Sequence, residues 1–159
     1  MRDLAELNLN EGGKPVRRPS PSTQQIAQFQ SEFGIAVPGE YLTFLAYSNG
    51  GHPELDTFLP DGMPERRHYC AVNHFYHLTD DREGDSRSLW WAQRVFRPIL
   101  GKEAFVFASD GGGNQFFLDV SKSPRPVKVL FHDEKDLVIE LAGSFAAFLD
   151  GLRLDPEAI

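Results

Sequence analysis

An α+β domain with a mostly antiparallel sheet is predicted by the order of patterns in this chain: helical spacings first, then strand-like runs, then a closing helical spacing. The strand-like runs alternate with a period of two, and short reversals join them, whereas parallel pairing would require repeated crossovers of about a dozen residues or more. The clearest reversal lies between residues 105 and 120. Phe105, Val106 and Phe107 precede Asp110, Gly111, Gly112, Gly113 and Asn114, and Phe116, Phe117 and Leu118 follow. The flanks favour strand, and the centre supplies positive backbone dihedrals and Asx hydrogen bonds, so a hairpin is predicted over 105–109 and 115–120. A phosphate-binding loop would need a Lys followed by Ser or Thr and a helix opening after the glycines; the sequence has neither.

The remaining elements follow in chain order. Between Asn8 and Ser22, Gly12, Gly13, Pro15, Pro19 and Pro21 mix with Lys14, Arg17 and Arg18, which resists regular structure. Residues 1–21 therefore read as an irregular arm and 22–159 as one domain. Ser22 or Thr23 caps a first helix that carries Ile26, Phe29 and Phe33 on one face and stops at Gly34. Val37-Pro38 opens a second, with Pro38 in its first turn, Tyr41, Leu42, Phe44 and Leu45 as its buried surface, and Asn49-Gly50-Gly51 as its end. Residues 69–78 are aromatic and β-branched enough for one strand, and Asp80, Asp81, Arg82, Glu83, Gly84 and Asp85 read as an exposed acidic loop. A short helix is predicted from Ser88 to Phe96, barred from continuing by Pro98. Val127, Val129 and Phe131 alternate with Lys128 and Leu130 in another strand, and Ser144 caps a last helix that buries Phe145, Phe148, Leu149 and Leu152.

Composition bounds the function. Thirteen Phe, two Trp and four Tyr in 159 residues supply an aromatic core for one domain. The formal charge of -7 opposes any affinity that depends on neutralising phosphates, so nucleic acid is an unfavourable partner and a basic protein a natural one. Cys70 is the single cysteine, which leaves no intramolecular disulfide and no multi-thiolate metal site. No apolar stretch has signal-peptide or membrane-spanning character, so a soluble, cytoplasmic protein without membrane association is expected.

No catalytic residue, metal site or cofactor is assigned from the residues. Cys70, His74 and His77, with His68, carry metal-ligating groups. On one regular strand, however, His68, Cys70 and His74 face one way and His77 the other, so a complete site would need a bulge. Neither a Gly-x-Ser-x-Gly elbow nor a His-Glu-x-x-His helix occurs, and His132-Asp133-Glu134 reads as a solvated turn.

Four pieces of the chain resemble the SMI1/KNR4-like, or SUKH, superfamily. They are residues 37–45 running into Ser48-Asn49-Gly50-Gly51, then Phe96-Arg97-Pro98-Ile99 with residues 105–114, then residues 115–119, and last residues 144–149. The resemblance implies one mixed, mostly antiparallel sheet braced by N-terminal helices and a C-terminal helix. It also implies a protein-binding module rather than an enzyme: many bacterial relatives are similar to immunity proteins that neutralise toxin domains, and fungal ones to scaffolds of cell-wall control. The expected partner is a protein, a basic toxin domain foremost, and the oligomeric state is left open. The candidate contact surface is the acidic cluster Asp80, Asp81, Glu83 and Asp85 with Trp90 and Trp91. On a helix the two rings diverge by about 100°, so they cannot both lie at the centre of one buried stripe. Asn49, Gly50, Gly51 and the turn from Asp110 to Asn114 are assigned structural roles.

Overall fold

The computed structural model describes residues 1–13, 17–59, 70–83 and 85–155. Helix α1 spans Thr23–Phe33 and α2 spans Gly39–Tyr47. Short strands β1 (Thr57–Phe58), β2 (Cys70–Ala71) and β3 (His74–Phe75) follow, then α3 (Leu89–Leu100). Strands β4 (Ala104–Ser109), β5 (Gln115–Asp119), β6 (Val127–Phe131) and β7 (Leu137–Ala142) precede α4 (Phe145–Gly151). The main sheet has the order β3-β4-β5-β6-β7, every neighbouring pair antiparallel, and β1 pairs with β2 in a separate ribbon. The chain is thus α+β, the one parallel pairing among the described residues being an isolated bridge between His77 and Ser88.

Local chemistry explains why the best-marked elements form where the sequence places them. Ser22 caps α1 in a complete capping box with Gln25, and Gly34 ends the helix in the left-handed conformation. Ser144 caps α4 by accepting from the Ala147 N–H. Strands β4 and β5 form the expected hairpin. In its turn Asp110 Oδ1 accepts from the N–H groups of Gly112 and Asn114, both at 2.8 Å, and Gly113 takes the positive φ of 91°. The core is aromatic throughout. Phe105 and Phe107 of β4 meet Phe29, Tyr41, Phe145 and Phe148 from α1, α2 and α4 at ring separations of 5.2–6.1 Å.

Four expectations are corrected. Residues 70–78 are two short strands in different sheets, because Cys70 pairs with Phe58 while Phe75 pairs with Ala108; Tyr69 and His68 lie outside the described residues. Helix α3 continues through Pro98 to Leu100. Pro98 sits in the last turn on the exposed side, where its missing N–H removes one bond and the ring meets solvent rather than packed neighbours. Pro38 stands at the N-cap of α2 rather than within its first turn, and Ser48 rather than Asn49 closes that helix. Strand β7, an edge strand with Leu137 and Val138 exposed, was not anticipated, since its continuous apolar run has no clean alternation.

The segment before Ser22 packs on the domain. Leu4 and Leu7, in a 3-10 turn, join the core, and the Arg2 guanidinium donates to the carbonyls of Leu149 and Leu152 at 2.8 and 2.6 Å, capping the end of α4.

Candidate functional site

The acidic loop after β3 is fastened at its root. Asn49 is 5% exposed, and its amide clamps Leu78 in both directions: Oδ1 accepts from the Leu78 N–H and Nδ2 donates to the Leu78 carbonyl, each at 2.8 Å. The same Nδ2 reaches the Pro19 carbonyl at 2.8 Å, so one side chain joins the arm, the end of α2 and the loop. Gly50 is required beside it. Its φ is 77°, and a Cβ there would lie 2.9 Å from the His77 Cβ and the Phe75 carbonyl oxygen. The Asn-Gly-Gly motif therefore works as a clamp and close-packing point, one step beyond the helix end that the sequence suggested.

Further contacts pin the loop along its length. Trp90 Nε1 donates to the Thr79 carbonyl, Gln25 Nε2 donates to Asp80 Oδ1 at 3.0 Å, and the Arg82 guanidinium lies 4.5 Å from the Trp90 ring centroid. Asp85 has a different position from the other acids. Its Oδ2 faces His77 Nε2 at 2.7 Å and Arg18 at 3.4 Å, while Oδ1 accepts from the Arg87 N–H at 2.8 Å. Burial alone would raise the carboxyl's pKa, but these hydrogen bonds and the Arg18 charge hold it below the usual carboxylate value. Asp85 thus belongs to the internal wiring, whereas Asp80, Asp81 and Glu83 are exposed.

The tryptophan pair separates as helical geometry requires, with neither ring fully exposed. Trp90 is 2% exposed and packs edge-on against Phe29 at 5.3 Å. Trp91 is half-buried, lying against Phe96 at 5.7 Å and Tyr76 at 6.4 Å, so it alone of the two reaches the surface.

Next to the loop, between the arm, Gly51 and β3, lies a cleft of about 330 Å³ lined by Arg18, His52, Asn73, His74, His77 and Arg87 among others. His52 Nδ1 hydrogen-bonds the Asn73 carbonyl, and Asn73 Nδ2 faces His74 Nδ1 at 3.1 Å. Burial, then the charges of Arg87, His52 and His77, push the His74 pKa down to about 4, which leaves the ring neutral at pH 7. His77 is also lowered, first by burial, against the opposing pull of Asp85.

These elements occur in a matched family framework. The SMI1 / KNR4 family (SUKH-1) model matches residues 20–151. The chain belongs to the SMI1/KNR4 family. No curated protein matches it. The family span opens just before the capping box of α1 and closes in α4, so it contains the Asn49 clamp, the acidic loop and most of the cleft, while Arg18 and the Leu4–Leu7 turn precede it.

Other sequence candidates fall into structural positions. The donors and acceptors of the Asp110 to Asn114 turn are used internally, and Asn114 Oδ1 and the Gly112 carbonyl also engage His132. Cys70 is buried in the small ribbon, where burial and the nearby Asp110 charge push its thiol pKa up to about 12. Cys70 sits in the β1–β2 ribbon and His74 in the main sheet, a separation hidden when residues 69–78 are read as one strand. Among the described residues, no group of three or more His, Cys, Asp or Glu side chains converges in a metal-binding arrangement. His52, Asn73 and Arg87 went unremarked in the sequence, and Arg18 counted only as part of the irregular arm. The signal that unites them is tertiary: Gly51 bridges to Phe75, drawing the end of α2 onto β3. No helix among the described residues is long and apolar enough to cross a membrane.

Proposed function

We propose that this SMI1/KNR4 domain is a stoichiometric protein-binding module, an immunity protein that neutralises a basic toxin domain by covering its working surface. The observation that carries this reading is the acidic loop: Asp80, Asp81 and Glu83 are exposed on a backbone tied down at Asn49, Thr79 and Asp85. A fixed acidic prominence on a chain of net charge -7 steers a basic partner without a large ordering cost on docking. Partly exposed Trp91 adds a candidate apolar contact. The protein acts without a cofactor and without catalysis in this reading, and in the cytoplasm. A thiol as buried and as weakly acidic as that of Cys70 is in the wrong state for a nucleophile.

The test is association kinetics with the products of toxin-like genes found beside this chain's gene, at two salt concentrations. The variant carries Asp80→Ser, Asp81→Ser and Glu83→Ser and spares Asp85, whose removal would disturb His77 and Arg18. Association is expected to slow by about tenfold at low salt and to lose salt sensitivity, with the unfolding temperature little changed. An unaltered association rate rejects the loop as the steering surface. Failure of the unmodified chain to bind any such neighbour favours a scaffold role for the domain.

A further inference from the structure

The cleft beside β3 is a patch of positive charge on an acidic protein, and its charges do not cancel. Arg18 is paired with Asp85 at 3.4 Å, and the same carboxylate takes the His77 Nε2 hydrogen bond at 2.7 Å. Arg87 gives Asp85 only its backbone N–H. Among the described residues no carboxylate lies within ion-pair distance of its guanidinium, so within this set one positive charge at the rim has no counter-charge.

A second, independent feature lies in His74. The Asn73 amide Nδ2 is a donor, so His74 Nδ1 facing it at 3.1 Å acts as the acceptor and the neutral ring carries its proton on Nε2. That Nε2 is buried without a hydrogen-bond partner. Buried donors left unpaired are rare because each forfeits its hydration; the His74 ring lines the cleft, and a turn of the side chain towards an acceptor oxygen there would restore the lost bond.

We propose that this cleft binds a carboxylate group, with Arg87 as its counter-charge and His74 as its hydrogen-bond donor. A single uncompensated charge matches one carboxylate. A phosphate group, carrying roughly two negative charges, would be over-charged here and repelled by Asp85 about twice as strongly as a carboxylate. The planar guanidinium suits the two oxygens of a carboxylate, and a cleft of about 330 Å³, with Phe75 in its wall, has room for the chain that bears it. The bearer is either a free carboxylic acid or a Glu or Asp side chain of a protein. The inference does not rest on the toxin reading, since small carboxylates test it in the protein alone.

The experiment titrates acetate, N-acetyl-glutamate amide and inorganic phosphate into the isotopically labelled chain at constant ionic strength, following the histidine ring resonances. Saturable millimolar binding of a carboxylate is expected, moving the His74 resonance and leaving that of His132, which lies between β6 and β7 and is engaged by Gly112 and Asn114, in place. Arg87→Gln should weaken it about tenfold and His74→Gln about fivefold. Arg87 is exposed, and among the described residues its side chain makes no hydrogen bond or ion pair, so that variant keeps the fold. Tighter binding of the glutamate amide than of acetate assigns the ligand to a protein side chain, and equal or tighter binding of acetate to a free acid. Three results overturn the proposal: no saturation by either carboxylate at about 50 mM, tighter binding of phosphate than of both, or undiminished binding in Arg87→Gln.

Discussion

Single polar residues do more to define this molecule than their number suggests. Asn49 holds three backbone groups, Asp85 is shared by Arg18, His77 and Arg87, and Tyr41 donates its hydroxyl inside the core to the carbonyls of Tyr76 and Phe107 at 2.7 and 3.2 Å. His74 gives a prediction in pH. Its folded pKa is about 4, whereas an unfolded histidine titrates near 6.5. Between those values the unfolded chain takes up the proton and the folded chain does not. Stability is therefore fullest above about pH 6.5 and falls as the pH drops towards 4, by about 1–2 kcal/mol after allowing for the ring's partial exposure. His77, lowered in the same direction, adds to the slope. His74→Gln should flatten the dependence of unfolding temperature on pH between 6.5 and 4. A slope as steep as that of the unmodified chain would contradict the assignment.

At the scale of elements, the contrast between what was legible and what was not follows from the range of the forces. Helices α1 and α4 and the β4–β5 hairpin are set by caps, a left-handed glycine and an Asx turn, all within a few residues, and the sequence displays them. The break between β2 and β3 is imposed from far away, by the pairing of Cys70 with Phe58 and of Phe75 with both Gly51 and Ala108. Helix α3 shows the same dependence on context. It runs along the part of β4 that β3 does not cover, where fully buried Gln93 donates to the Ala104 carbonyl at 2.7 Å and accepts from the Val106 N–H at 3.2 Å, standing in for a missing strand. Gln93→Leu should leave both backbone groups buried and unpaired, costing about 2–4 kcal/mol in denaturant unfolding. A change below about 0.5 kcal/mol would show that α3 does not serve as the edge partner of β4.

For the whole molecule, the family span and the folded unit are not the same. Residues 1–13 precede the match at residue 20, yet Leu7 is fully buried, Leu4 nearly so, and Arg2 closes α4. Removing residues 1–13 should therefore destabilise the domain by about 3–5 kcal/mol, the burial of two leucines plus the lost cap, as read by chemical denaturation. An unchanged midpoint would make the segment an ornament. The candidate surface was legible as charge: an acidic loop stands out in any reading of residues 80–85. Its division into outward acids and an internal one was not, because Asp85 is claimed by Arg18 from the arm and His77 from beyond β3.

Neutralisation by stoichiometric binding is the central claim, and titrating activity tests it most directly. The product of a toxin-like gene found beside this chain's gene is held at a concentration far above the dissociation constant, and its activity is measured as the chain is added. The expected result is a linear fall to zero at one equivalent, with no product formed from the toxin and full activity regained when the chain is unfolded. Undiminished toxin activity in the presence of excess folded chain would contradict the claim.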